Sequence, residues 1–469
     1  MDGTRTVAVI GAGFSGVMTA VHLLRTPAPS GLRVVLVNRT GRMARGVAYG
    51  TRSPVHLLNV PAGRMSAFPD DPEHFLRFAQ TKDPAVTATT FLPRSVYGEY
   101  LEAVLEEAER TTAGRLDRVV GELTAIDFSL SPARLTTTNG GAFSADRIVM
   151  ALGNYPPKNP DVSDPNVLDS PSYVRDPWGP NALANINLDA PILLLGTGLT
   201  MMDVALDLHG RGAKGPVIAI SRHGLLPQPH KAGVHADASH RPTGIESIAP
   251  TARNYVRAIR SRIRELSAQG ICWRSVVDSL RPLTATLWQR LPMNERERFL
   301  RHVKPYWEVV RHRAAIGPAC TLQERMDSRW LQVRAARLID LSETKSGLVA
   351  KVRGRGTSHI EELVVGTAIN CTGPSGDIRS TADPLMAFLR DRRLIGPDPL
   401  GLGIAIADNG AVLDQAGTAS RILYYVGPLA RAGYWERTAV PELRVLAQDI
   451  AKTVMDTLLP AEWQAAEIW

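Results

Sequence analysis

The sequence predicts an α/β protein with two parallel-sheet halves and a helical insertion. Three observations lead there. Two glycine turns, Gly11 to Gly16 (GAGFSG) and Gly196 to Met201 (GTGLTM), each follow an apolar strand and open a helical pattern. An order of paired short strands, glycine-rich turn and glycine-ended apolar strand occurs twice. Between residues 241 and 330, strand patterns give way to helical periodicity. At 469 residues, the chain has room for about three domains of ~150 residues, or two with an insertion. Each glycine turn with its flanking strands and helix is a βαβ unit, so the two halves read as Rossmann-like dinucleotide-binding domains.

The first unit is the more complete. Residues 7–10 form an apolar run, Val17, Ala20, Val21 and Leu24 recur at helical spacing, and residues 33–37 supply the second strand. Gly11 permits the tight turn, Gly13 a close backbone approach to a pyrophosphate, and Gly16 close packing of helix on strand. Phe14 and Ser15 then open the helix whose free N–H groups face the phosphates. The position after the second strand is usually acidic, to hold a ribose hydroxyl. Here it is Asn38, whose amide accepts the same bond without a charge, followed by Arg39. Residues 123–130 and 133–138 read as paired strands, Asn139, Gly140 and Gly141 as a turn, and residues 144–153 as an apolar strand ending at Gly153.

The second unit runs from the strand at residues 192–195 through Gly196 and Gly198. It continues into a helix opened by Leu199 and Thr200 with Met202, Ala205, Leu206 and His209 on one face. The next strand, residues 217–220, ends in Ser221 and Arg222. With no acidic residue in that turn, the pair suits a ribose 2′-phosphate: one hydrogen bond from Ser221 and a charge-assisted pair from Arg222. Met201 replaces the third glycine, so the helix is expected to pack less closely, with nucleotide binding kept, weakened or lost. Residues 338–341 and 348–352, the turn at Gly354 and Gly356, and residues 363–369 leading to Gly373 repeat the earlier order.

In residues 252–269 of the insertion, Val256, Ile259, Ile263 and Leu266 share one face and Arg253, Arg257, Arg260 and Arg264 another. Such an arginine stripe reads as a solvated face or one paired with acidic neighbours; no aromatic interleaving supports nucleic-acid binding. Asn294 with Glu297 resembles a capping box, and Pro305 is expected to stop or kink the helix that follows. His230 and His235 fall in the loop that opens the insertion, as ordinary loop residues or as acid–base groups near neutral pH. Near the end, residues 424–428 read as a strand end including Gly427, with a helix from about Thr438 or Val440 preceded by Trp435 and Glu436.

Several classes fall away. Cys272, Cys320 and Cys371 are far apart without a C-x-x-C, so no dithiol or metal centre is expected and redox chemistry must come from a bound cofactor. The start of the chain shows no signal peptide, and no apolar run reaches the ~18 residues of a membrane span, so a cytoplasmic protein without membrane or nucleic-acid partners is expected. The net charge of +8 suits anionic cofactors.

Two such halves resemble the two-dinucleotide-binding flavoproteins of glutathione-reductase-like architecture. Gly46-Val-Ala-Tyr49, His56-Leu-Leu-Asn59-Val-Pro61, Ser221 to Pro227 (SRHGLLP), Cys371-Thr-Gly-Pro374 and Trp435 to Arg444 (WERTAVPELR) resemble a bacterial family known only as FAD/NAD(P)-binding proteins. The architecture is shared with class B flavin monooxygenases, including amine N-hydroxylases and Baeyer–Villiger enzymes. The resemblance implies an FAD-binding domain in residues 1–185 and 366–469. It implies an NAD(P)H-binding domain in residues 186–365, carrying the insertion at about 241–330. It further implies FAD at Gly11, Gly13 and Gly16 and NADPH at Gly196 and Gly198. Asn59 and Arg64, in the loop of residues 57–66, are the polar candidates beside the flavin, with plain loop hydrogen bonding as the alternative. Gly153, Gly373, Gly427, Trp435 and Thr438 complete the cofactor-binding candidates, and packing is an equal reading for Trp435. The implied reaction is monooxygenation. NADPH reduces the flavin, oxygen forms a C4a-(hydro)peroxyflavin, and one oxygen atom passes to a small metabolite such as an amine or amino-acid derivative. Two alternatives stay open: a flavin oxidase or dehydrogenase that does not use NADPH, and a flavin-binding sensor or scaffold.

Overall fold

The computed structural model describes residues 4–26, 31–112 and 114–458. The chain divides into two compact units, one of residues 1–52, 61–155 and 376–469 and one of residues 53–60 and 156–375.

The first unit begins with β1 (Arg5–Ile10), α1 (Phe14–Arg25), β2 (Leu32–Asn38), the single turn α2 (Gly46–Tyr49), α3 (His74–Lys82) and α4 (Arg94–Thr111). It continues with β3 (Leu116–Val120), β4 (Leu123–Asp127), β5 (Ala133–Thr137), β6 (Ala142–Ala145) and β7 (Arg147–Met150). In the second unit, β8 (Tyr173–Val174), β9 (Ile192–Leu195), α5 (Leu199–Gly210) and β10 (Val217–Ser221) precede a run of helices. These are α6 (Ala252–Ser267), α7 (Trp273–Ser279), α8 (Thr284–Arg290), α9 (Met293–Arg298), α10 (Lys304–Arg311) and α11 (Ile316–Asp327). The unit closes with β11 (Leu331–Thr344), β12 (Gly347–Gly354), β13 (Ile360–Val365) and β14 (Thr367–Asn370). The chain then returns to the first unit for α12 (Pro384–Asp391), β15 (Ala411–Leu413), β16 (Ala419–Tyr425), α13 (Arg431–Tyr434) and α14 (Val440–Leu458).

The first sheet has the order β15-β16-β7-β1-β2-β3, parallel except at the β15 edge. The second has the order β13-β12-β11-β10-β9-β14-β8, parallel from β11 to β8. Matching β7 with β14, β1 with β9, β2 with β10 and β3 with β11 superposes the two orders. Each half also carries an antiparallel meander: β4-β5-β6 in the first, and β12-β13 on the extended end of β11 in the second. Central strands covered on both faces read as unbroken apolar runs, and Val7 to Ile10 and Ile192 to Leu195 are all buried. α1 is buried from Phe14 to Leu24, because α4 and α14 pack on it as well as the sheet.

The expected boundaries shift. Apart from the excursion of residues 53–60, the chain passes to the second unit at residues 155 and 156 rather than 185 and 186, because β8 pairs with β14 in the second sheet. It returns at 375 and 376 rather than 365 and 366, because β14 pairs with β9. Each glycine-ended strand therefore completes its own half. The apolar runs at residues 144–153 and 363–369 also break in two, at Asp146 and Gly366, where the chain leaves a meander and enters a parallel sheet.

In the insertion, Arg253, Arg257, Arg260 and Arg264 of α6 are exposed, and among the described residues none forms an ion pair. The capping box at Asn294 does not form. α9 follows Pro292 without a side-chain cap, and Glu295 is buried, accepting a hydrogen bond from Ala252 N at 2.9 Å. Pro305 neither stops nor sharply ends the helix: a π-helical turn, Phe299–Val303, absorbs the missing donor before α10 begins. α11 belongs to the second unit's core, with Leu322 packed among the α5 and sheet residues.

Candidate functional site

The two glycine turns are built alike. Gly11 has φ 104° and Gly196 φ 109°, a region that L side chains rarely adopt. Gly13 lies at φ −81°, ψ −168° and Gly198 at φ −83°, ψ −168°. Gly11 N donates to Val37 O at 2.8 Å and Gly196 N to Ile220 O at 2.7 Å, so each turn hangs on the end of the second strand. The neighbouring strands also close alike, Ala151 N to Ile10 O at 2.7 Å and Cys371 N to Leu195 O at 2.8 Å.

These contacts explain the glycines. A Cβ on Gly11 would lie 2.3 Å from Ala151 O, and one on Gly196 would lie 2.5 Å from Cys371 O. Gly13 and Gly198 are open instead. A Cβ on Gly13 would meet only Gly46 Cα, at 3.7 Å, and one on Gly198 nothing within 4 Å. The open side belongs to whatever approaches the turn. Neither helix has a side-chain cap, and the first intrahelical bonds run from Val17 N to Gly13 O and from Met202 N to Gly198 O, at 3.0 and 3.2 Å. The N–H groups of Phe14, Ser15 and Gly16, and of Leu199, Thr200 and Met201, thus precede the first helical bond in each half. With the positive helix end they make two anion cradles at the C-terminal edges of the sheets.

The third position separates the halves. A Cβ on Gly16 would lie 1.8 Å from Gly11 O. Met201 carries such an atom and is fully buried in the second unit's core, so α5 must stand farther from its turn than α1 does.

Asn38 sits at the end of β2. Its amide nitrogen donates to Thr40 O at 2.8 Å and Arg42 O at 3.1 Å, and its Oδ1 accepts from Ala12 N at 3.4 Å. It braces the glycine turn to the loop that follows. Ala44 N donates to Ala12 O at 2.9 Å, with Ala44 buried at φ 75°. Arg39 faces Asp383 at 3.5 Å and Glu122 at 3.7 Å. Gly153, φ 71°, follows β7, and Gly373, φ 87°, follows β14, each with open space at its Cβ. Gly373 therefore belongs to the second half, not to the returning part of the first.

Ser221 is not free to serve a phosphate. Thr197 Oγ1 donates to Leu225 O at 2.6 Å, so the 2.8 Å contact between Thr197 and Ser221 takes its hydrogen from Ser221. Ser221 Oγ also accepts from Gly224 N at 3.0 Å. Arg222 is exposed without an ion pair among the described residues. Beside it, burial, Arg355 and Arg222 hold the His223 imidazole below its usual range.

Asn59 and Arg64, neighbours in one loop, fall in different units. The Asn59 carbonyl contacts His230 Nε2 at 2.9 Å, which uses His230 as a loop fastener; Arg64 is exposed. His235 is exposed, and its carbonyl accepts from Ser275 Oγ at 2.6 Å. Gly427 has φ 144°, and a Cβ there would lie 2.8 Å from the Tyr425 hydroxyl. Trp435 is buried at φ 37°, a strained conformation for a non-glycine residue, with the Arg431 guanidinium 4.2 Å from its ring centroid. Thr438 N donates to Glu436 O at 2.8 Å, leading into α14. Tyr97 and the paired Arg45 and Glu102 (2.6 and 2.7 Å) sit in no recognisable spacing, and Arg444 stands only at the end of the WERTAVPELR block, with no role read for it there. Among the described residues no cluster suits a metal ion, and no helix is long and apolar enough to cross a membrane.

Residues 8–155 match a protein family described as FAD-NAD(P)-binding. No curated protein matches the chain. Ornithine hydroxylase from Pseudomonas aeruginosa is similar in structure, with TM-score 0.66 and 15% identity over 97% of this chain and 100% of that one. Ornithine N-hydroxylase from Kutzneria sp. 744, solved with reduced FAD, NADP+ and L-ornithine, gives TM-score 0.63 and 14% identity over 97% and 99%. The FAD-bound cadaverine monooxygenase from Erwinia amylovora gives TM-score 0.64 and 13% identity over 97% and 95%. At such identities the likeness is one of fold: the chain has the architecture of the two-dinucleotide-binding flavoproteins.

Proposed function

We propose that the chain is an FAD-dependent, NADPH-using oxidoreductase, and within that class a monooxygenase of a small amine or amino-acid derivative. The observation that carries this reading is the duplicated cradle, whose dihedrals agree within a few degrees between the halves. Two cradles suit two dinucleotides. The first fits FAD: its open Gly13 face, uncapped α1 and closely packed Gly16 leave room for a diphosphate and present donors to it. The second fits NADPH through Gly198, the N-terminus of α5 and the exposed Arg222.

FAD, when bound, accepts hydride from the nicotinamide and passes electrons to oxygen. The chain's own residues bind and orient. Gly13 admits the diphosphate, Asn38 holds the turn in shape, and Arg222 selects the phosphorylated ribose. α14 offers a positive helix end where negative charge develops on a reduced ring. The fold shared with the ornithine hydroxylases and the cadaverine monooxygenase supports a small cationic amine as substrate, and the reading includes a cytoplasmic location.

The test is a spectrum of the purified protein through anaerobic NADPH addition and then oxygen, with L-ornithine, L-lysine and cadaverine in turn. Bleaching of a yellow flavin by NADPH, and a hydroxylated amine after oxygen, are expected. A colourless protein that takes up no FAD refutes the reading. Flavin that neither NADPH nor NADH reduces favours an oxidase or dehydrogenase independent of NADPH, for which Met201 and the internally bonded Ser221 speak.

A further inference from the structure

Among the buried polar atoms of the first unit that have no hydrogen-bond partner within the described residues, two lie on α4 and α14. Tyr97, on α4, is fully buried and its hydroxyl has no hydrogen-bond partner. Its ring packs among Phe14, Tyr49, Phe75 and Tyr100, with centroids 6.3, 4.6, 4.9 and 5.4 Å away. Burial drives the phenol well above the usual tyrosine range, so the hydroxyl keeps its proton and stays a donor. Arg444, on α14, donates from Nη1 to Ser66 O at 3.0 Å. Its Nε is buried without a partner, and no carboxylate pairs with the guanidinium among the described residues. The residue after Ser66, Ala67, donates from its N to the Tyr100 hydroxyl at 3.2 Å, so the segment that Arg444 holds also touches the ring beside Tyr97. Phe14, the first residue of α1, ties this cluster to the glycine turn.

We infer that Tyr97 and Arg444 form a second anchor for the diphosphate of the dinucleotide bound at α1. The inference rests on the FAD reading and deepens it. A buried hydroxyl and a buried N–H each cost free energy until an acceptor arrives, and a guanidinium without a carboxylate is suited to an anion. The α1 N-terminus offers roughly half an elementary charge. A diphosphate brings two negative charges, and Arg444 supplies the missing compensation from a side chain that no glycine motif includes.

The test uses protein stripped of flavin and titrated with FAD and with ADP, for the wild type, Tyr97→Phe, Arg444→Gln and Arg444→Lys. Tyr97→Phe removes one oxygen atom from a packed ring and should melt at or above the wild-type temperature. It should weaken FAD and ADP by about fivefold, and Arg444→Gln by about ten- to a hundredfold, less so at high salt. Arg444→Lys, which keeps the charge, should stay within about threefold of the wild type. If the wild type binds FAD and neither Tyr97→Phe nor Arg444→Gln changes the affinity for FAD or ADP, the anchor is wrong. If Arg444→Gln does not fold, unchanged affinity in Tyr97→Phe alone overturns it. If the wild type takes up no FAD but binds ADP, and the variants bind ADP less well, the anchor stands and the FAD reading fails.

Discussion

Gly13→Ala separates a ligand role from a folding role. The backbone at Gly13 is extended and within reach of any residue, and the added methyl would meet only Gly46 Cα, at 3.7 Å. Without ligand the variant should therefore be as stable as the wild type, or more stable by about 0.4–1 kcal/mol from the reduced freedom of its unfolded chain. The same methyl stands where a diphosphate must approach the N–H groups of Phe14, Ser15 and Gly16. Losing two charge-assisted hydrogen bonds of about 1.5–3 kcal/mol each costs about 3–6 kcal/mol, or roughly a hundred- to ten-thousandfold in FAD affinity. The assay pairs a thermal melt of the flavin-free protein with an FAD titration. An unchanged melt with FAD affinity lowered at least about a hundredfold is expected. Wild-type FAD affinity would refute the cradle, and a collapsed melt would show that Gly13 serves the fold instead.

The other predictions use the same geometry. Gly198→Ala, with nothing within 4 Å of its methyl, should leave FAD bound while NADPH reduces the flavin at least about tenfold less effectively, read by anaerobic stopped flow; an unaltered rate would count against the second cradle. Gly196→Ala should instead destabilise the protein by about 1–3 kcal/mol from backbone strain alone, because φ is 109° and Cys371 O lies 2.5 Å from the new carbon; a wild-type melting temperature would contradict this. Arg222→Ala should weaken NADPH about ten- to a hundredfold and leave NADH unchanged, whereas equal wild-type affinities for the two nucleotides would remove its role. Burial lowers His22 from 6.5 to about 4, with Arg25 adding to the shift and Asp70 opposing it. The unfolded chain takes that proton more readily, so the contribution is complete above pH ~6.5 and is lost as pH falls, by about 3 kcal/mol at pH 4. Urea midpoints of His22→Leu should lack this component, and parallel pH profiles for the two proteins would exclude it.

What the sequence revealed and what it hid have separate physical causes. The glycine turns were legible because φ near 105° and a backbone oxygen 2.3–2.5 Å from a would-be Cβ leave almost no other residue possible. The duplicated order was legible because buried parallel strands are continuous apolar runs. The unit boundaries were not. β8 is two residues long, too short for any periodicity, and the breaks at Asp146 and Gly366 are each a single residue between two short strands. Adjacency misled at Asn59 and Arg64, which share a loop but not a unit. The capping-box spacing at Asn294 misled because α9 already begins at Met293 after Pro292, which puts Asn294 inside the helix rather than at its cap. Tyr97 and Arg444 are separated by most of the chain; only packing reveals that the Tyr97 hydroxyl and the Arg444 Nε are buried without partners.

The second cradle shows what the third glycine does and does not control. Met201 pushes α5 away from its turn, yet the dihedrals at Gly196 and Gly198 match those of the first half. The turn must then be held from the other side, and Thr197 does this. Where the first turn has Ala12, the second has a hydroxyl that bonds to Leu225 O and accepts from Ser221, whose own oxygen receives Gly224 N. This chain of three hydrogen bonds ties the glycine turn to the end of β10 and replaces the contact that close helix packing supplies in the first half. It also consumes the Ser221 hydroxyl. A phosphate on the ribose would find no donor there, which leaves the exposed Arg222 as the charged group of that turn free to meet it. On the proposed reading, nucleotide selection then rests on one side chain, where a single replacement can read it out.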